Sequence, residues 1–217
     1  MSIDVLLQQI VNGLVVGSVY ALVALGYTMV YGILQLINFA HGEIVMIGGL
    51  TALVTAKWLL GMGTPPILAL LVAILFAMVV CAIVGVVIER VAYRPLRNAP
   101  RLAPLITAIG VSFLLENLGL VVFGGRPKGF ETPEMFSEVY EVAGLMFPAL
   151  VLWTPLITLA LLAGILFVIY RTKPGRAMRC ISLDMETTKL MGVDVNGVIS
   201  ITFAVGSVAA AACGIMW

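Results

Sequence analysis

Six long apolar stretches, at about residues 5–34, 36–60, 66–88, 103–123, 148–170 and 197–217, leave this chain few ways to fold. Each reaches the roughly 20 residues that an α-helix needs to cross a hydrocarbon layer. Within such a layer the backbone must satisfy its own hydrogen bonds, which leaves helices or a closed barrel. The stretches lack the strict in–out alternation of barrel strands, so helices are expected. Of the 217 residues 62% are hydrophobic and 11% charged, against about 25% charged in soluble domains. A soluble fold of this size still needs polar cover for its surface, and this chain does not carry enough. The expected fold is all-α: a polytopic integral membrane helical bundle of about six spans, forming one transmembrane domain over 1–217.

Charges between the stretches orient the bundle. Residues 89–101 hold Glu89 against Arg90, Arg94, Arg97 and Arg101. Residues 171–196 hold Arg171, Lys173, Arg176, Arg179 and Lys189 against three acids. Between them, residues 124–147 carry Arg126 and Lys128 against four glutamates. Cytoplasmic loops are enriched in Lys and Arg, so 89–101 and 171–196 are assigned to the inside and 124–147 to the outside. Counting back puts the amino terminus outside if 36–60 crosses fully, and inside if that segment is re-entrant. Lys57 and Trp58 suit an outer interface. The first stretch has no basic residue ahead of it and no cleavage site, so it reads as a retained span. The last runs to Trp217 without a polar tail, and the expectation is a chain truncated at its carboxyl end.

Other chemistries find little support. The net charge of +1 offers no footprint for nucleic acid. Cys81, Cys180 and Cys213 are far apart, with neither disulfide nor zinc spacing. There is no phosphate-binding G-x-x-x-x-G-K-[ST] loop and no H-E-x-x-H. His41 and Glu43 are too few to bind a metal alone. Small residues recur at spacing four in the first span (Gly13, Gly17, Ala21) and the last (Gly206, Ala210, Gly214), as in closely packed membrane helices.

Three polar features stand out. Glu116, beside Asn117, lies inside the fourth stretch; an ionisable group there is costly and marks either function or a hydrogen bond between helices. INFAHGEIV places Asn38, His41 and Glu43 where the first two stretches meet, as a tight turn or as a broken helix of the kind that lines transport sites. The segment Arg171–Ser200 is too long for a turn. Residues 176–191 can form a short helix with Met178, Ile181, Met185 and Leu190 on one side, stopping at Gly192. Such a helix lies on the membrane surface or docks in a partner's groove.

NGLVVGSVYALVALGYTMVYGILQLINFAHGEIVMIGG (Asn12–Gly49), IERVAYRPLR (Ile88–Arg97) and GRAMRCISLDMETTKLMGVD (Gly175–Asp194) together resemble the permease subunits of branched-chain amino-acid ABC importers, in particular the first of the two related permeases. The likeness runs through the whole chain. It implies a bacterial inner-membrane, multi-pass permease that imports leucine, isoleucine or valine by alternating access. The implied partners are a second homologous permease, two cytoplasmic ATP-binding subunits and a periplasmic solute-binding protein, besides membrane lipid. ATP would sit on the partners, with no cofactor and no catalytic residue on this chain. The resemblance makes 171–196 a cytoplasmic coupling loop, with Gly175, Arg176, Arg179, Asp184 and Gly192 matching the family pattern. Asn38, His41, Glu43, Glu116 and Asn117 are the candidates for the translocation path. Cys180 and Thr188 stand where the family usually has alanine, and Glu116 where glutamine is common. Two alternatives are a same-family permease for urea or short amides and, in a different class, an ion-coupled carrier or channel using Glu116 or His41.

Overall fold

The computed structural model describes residues 3–97, 99–100, 102–126, 128–129, 139–142 and 145–216. Helix α1 (Ile3–Leu34) is followed by α2 (His41–Gly61) and α3 (Pro66–Ile88). α3 continues through a π-turn (Glu89–Tyr93) and a 3-10 turn (Arg94–Leu96). Then come α4 (Leu102–Phe123), the antiparallel strands β1 (Val139–Val142) and β2 (Leu145–Pro148), and α5 (Ala149–Arg171). Two short helices, α6 (Lys173–Leu183) and α7 (Met185–Leu190), lead into α8 (Val195–Met216). Among the described residues six helices, α1 to α5 and α8, are long and apolar enough to cross a membrane. The expected helical bundle is therefore present. The β1–β2 hairpin, in the segment assigned to the outside, is an addition that the apolar pattern did not announce.

α8 is the hub. Its small residues Gly206, Ser207, Ala210 and Ala211 are buried, while large apolar side chains such as Leu75, Phe76 and Ile83 on α3 point outward. That is the arrangement lipid favours: close backbone contact inside, bulk toward hydrocarbon. A Cβ added to Gly214 would lie 2.0 Å from the Val45 carbonyl oxygen of α2, so only glycine fits that crossing. Gly206 approaches Gly26 of α1 less closely, an added Cβ lying 3.3 Å from the Gly26 carbonyl oxygen. The small-residue stripe expected to pack is thus used on α8. On α1 it is not: Gly13 and Gly17 have no neighbour within 4 Å among the described residues. α1 instead buries Val19, Leu22, Gly26 and Val30, a line rotated by about one residue, or 100°, from that stripe.

Cross-helix pairs give directions. Val19 meets Cys213 and Gly26 meets Gly206, so α1 runs opposite to α8. Gly85 meets Ser207 and Glu89 meets Ser200, so α3 does too. The two basic segments share one end of the bundle, where Arg97 Nη1 donates to Asn196 Oδ1 at 2.8 Å. With that end cytoplasmic, α1 starts outside.

Candidate functional site

The stretch expected over 36–60 does not form one uninterrupted helix. α1 stops at Leu34, Gln35 takes a left-handed φ of 53°, and helix resumes only at His41. The intervening chain turns into the bundle, burying Asn38, Ala40 and His41. His41 lies against Gly26, which itself meets Gly206, about 16 Å along α8 from its first residue. Non-helical backbone at that depth is tolerated where protein buries it, and Asn38, Ala40 and His41 are buried while Ile37 and Phe39 face outward. The His41 amide donates to the Asn38 carbonyl at 3.1 Å. The Tyr93 hydroxyl, from the π-turn, donates to Asn38 Oδ1 at 2.9 Å.

His41 is packed on all sides. Its ring centroid is 4.7 Å from that of Tyr27, and a Cβ on Gly26 would meet its Cε1 at 2.3 Å. Its Nε2 makes no well-formed hydrogen bond, although the Val23 carbonyl of α1 is an acceptor within reach of the ring. Glu43, half-buried in the first turn of α2, accepts from Ser112 Oγ of α4 at 3.1 Å. Of the five path candidates, then, Asn38, His41 and Glu43 are brought together at the head of α2. Glu116 and Asn117 are not: both sit on the exposed side of α4, and Asn117 Nδ2 bonds the Phe113 carbonyl of its own helix at 2.7 Å. Among the described residues no three His, Cys, Asp or Glu side chains converge as metal ligands.

The second polar region is the segment 171–196, which its charges assign to the cytoplasm. The helix expected over 176–191 is two helices, divided at Asp184. Thr172 caps α6, its Oγ1 accepting from the Gly175 amide at 3.2 Å. Gly175 seats α6 against the end of α5: a Cβ there would lie 2.1 Å from the Val168 carbonyl oxygen. Asp184 ends α6 and caps α7, accepting from the amides of Glu186 (2.9 Å) and Thr187 (3.1 Å). The Thr187 hydroxyl also bonds this carboxylate and is the main reason its pKa lies below the ordinary carboxylate range. Gly192, at φ 81°, turns the chain toward α8. Arg176 and Arg179 are exposed, and the Arg179 guanidinium stacks 5.2 Å above the Tyr170 ring of α5. Met178 and Ile181 are buried, as expected of an apolar side, but Leu190 is 87% exposed. The break at Asp184 turns α7 away from the line that one continuous helix would follow. Leu183 and Met191 are also exposed, at 89% and 80%.

A third cluster was not foreseen. Glu89 is wholly buried, with Arg94 and Arg97 each 3.0 Å from its carboxylate. Ser200 Oγ of α8 donates to the same carboxylate at 2.8 Å. In an α-helix, five residues turn the chain through about 500°, leaving Arg94 well off the Glu89 face. The π-turn, with its wider i to i+5 hydrogen bond from the Arg94 amide to the Glu89 carbonyl, brings the two together. The available signal was a lone acid closing a long apolar run, with arginines five and eight residues on.

A lipid-facing bundle, a crossing broken at mid-depth and an amphipathic cytoplasmic segment together define a membrane-embedded transport subunit. The chain matches the family described as branched-chain amino acid transport system / permease component over residues 9–217, and it belongs to that family. It is 40% identical over 214 residues to the high-affinity branched-chain amino acid transport system permease protein BraD of Pseudomonas aeruginosa, covering 97% of this chain and 70% of that one. It is also 40% identical over 222 residues to the corresponding protein LivH of Escherichia coli K12, with the same coverage. A probable branched-chain amino acid permease of Methanocaldococcus jannaschii is 28% identical over 201 residues, covering 87% of this chain and 59% of that one. No solved structure matches. The chain is a multi-pass inner-membrane protein.

Proposed function

We propose that this permease carries leucine, isoleucine and valine inward as one subunit of an ATP-driven importer. A second, homologous permease completes the pathway, one of two ATP-binding subunits docks on Gly175–Asp194, and a periplasmic binding protein delivers the solute. The substrate follows the names of the relatives that match most of the chain. The observation that carries docking is the exposure of Leu183, Leu190 and Met191 outside the spans. Fully burying one such side chain is worth about 1.5–3 kcal/mol, so a partner groove that covers them gains much of its affinity there. Exposed Arg176 and Arg179 flank the patch and suit an acidic rim. No catalytic residue is needed on this chain: docking must only favour one of two packings of the bundle over the other. The buried head of α2, with Asn38, His41 and Glu43, is the part of the path that the two packings would open and close.

The test replaces Leu183 and Leu190 by aspartate, and separately reverses Arg176 and Arg179 to glutamate, in the assembled importer. Insertion should persist, while co-purification of the ATP-binding subunits and leucine uptake are lost. Parental co-purification in both variants would remove the docking role.

A further inference from the structure

We propose that the π-turn Glu89–Tyr93 is a positioning element for transport: Glu89 grips α8, Tyr93 grips the buried break at Asn38, and movement of the docked segment reaches the break through them. The proposal rests on the docking role proposed above for Gly175–Asp194.

Each joint is seen in the structure. Met178 and Ile181 of α6 share one apolar cluster with Val195, Val198 and Ile199 of α8, so the cytoplasmic segment is seated on the head of α8. Asp194 caps that head, accepting from the Gly197 amide at 3.1 Å. One turn further along, α8 meets the π-turn twice. Ser200 bonds Glu89, and the Phe203 ring centroid lies 5.5 Å from that of Tyr93. Arg94 Nη2 also reaches Ser200 Oγ at 2.9 Å, and Arg97 reaches Asn196. On its other side the turn holds Asn38 through the Tyr93 hydroxyl. A five-residue turn thus holds the head of α8 and the only broken crossing among the described spans.

The chemistry of the grip argues for position over stability. An ion pair on a buried carboxylate contributes little beyond what well-packed apolar residues would, but it holds one geometry: removing Glu89 would leave Arg94 and Arg97 both without their carboxylate. The turn also costs regular helix: α3 gives way to it after Ile88, and Pro95 in the 3-10 turn that follows has no amide to donate to an α-helical ladder. π-turns of this kind are frequent at functional sites.

The decisive variants are Tyr93→Phe, which removes a single hydroxyl, and Glu89→Gln. Each is assembled with the second permease, the ATP-binding subunits and the binding protein in proteoliposomes, and radiolabelled leucine uptake and ATP hydrolysis are read from the same vesicles. The expected result is normal assembly, ATP hydrolysis within about twofold of the parent, and leucine moved per ATP reduced about tenfold, the size of a typical intersite coupling. The double variant should fall no further than the worse single, since both interrupt one linkage. A parental leucine-to-ATP ratio in Tyr93→Phe overturns the proposal, as does loss of uptake and hydrolysis in equal proportion, or a double variant whose losses multiply. If Glu89→Gln fails to insert, Tyr93→Phe decides alone. Co-purification separates the two ideas. If the Leu183/Leu190 and the Arg176/Arg179 variants both still bind ATP subunits, the docking reading fails; if they do not and Tyr93→Phe keeps its ratio, only the positioning role fails.

Discussion

Replacing Gly175 by alanine sets helix propensity against tertiary contact, and the two disagree in sign. Alanine inside a helix is favoured over glycine by about 0.5–1 kcal/mol. In this fold the added Cβ would sit 2.1 Å from the Val168 carbonyl oxygen and 2.3 Å from that of Ile169. Both are backbone atoms, so no side chain can swing aside. Restoring ordinary van der Waals separation requires α6 to lift from the end of α5 by about 1 Å. Overpacking of this kind costs about 1–3 kcal/mol. The net expectation is a loss of about 1–2 kcal/mol, roughly a 5- to 30-fold fall in the folded-to-unfolded ratio. The lift would also loosen the seats of Met178 and Ile181 and displace the docking patch, so leucine uptake should fall as well. Gly13→Ala is the control: nothing lies within 4 Å of Gly13, so the propensity gain should appear unopposed. Unfolding by SDS titration in mixed micelles reads both. If Gly175→Ala is stabilised like Gly13→Ala and transports normally, the close seating of α6 on α5 is refuted.

Two further outcomes follow from the cytoplasmic segment. The Asp184 carboxylate is held below its ordinary value of 3.8 by the Thr187 hydroxyl first, then by the amides of Thr187 and Glu186. A folded value below the unfolded one means that the cap is complete above the ordinary value and is lost only as pH falls through the depressed one; α7 should hold from about pH 8 down to about pH 5 and fray only in stronger acid. Amide hydrogen exchange at Glu186 and Thr187 reads this, and fraying near neutrality would contradict it. Cys180 is exposed whereas Cys81 and Cys213 are buried. A membrane-impermeant maleimide should add one label per chain in inverted vesicles and none in right-side-out vesicles, by intact mass; the reverse pattern would overturn the orientation.

The number of crossings, their order and the shared cytoplasmic end of the two basic segments were legible in the sequence. Length, hydropathy and loop charge are properties of local stretches, and lipid reads them directly as a solvent does. The family signatures also singled out Gly175–Asp194, the segment for which docking is proposed, before any contact was known. What the sequence left open is which residues meet. α4 is apolar nearly all round, so nothing local tells that Glu43 finds Ser112 while Glu116 and Asn117 stay apart from the break. Tyr93 and Asn38 are 55 residues apart and no periodicity links them. The pairing of Glu89 with Arg94 depends on a π-turn, and Leu190 lost its expected burial because one aspartate serves two helices. Inside a bilayer, hydrophobicity drives every apolar face equally and cannot choose among them. The choice falls to close packing of small residues and to the few polar groups that must find partners, and only the assembled helices decide those.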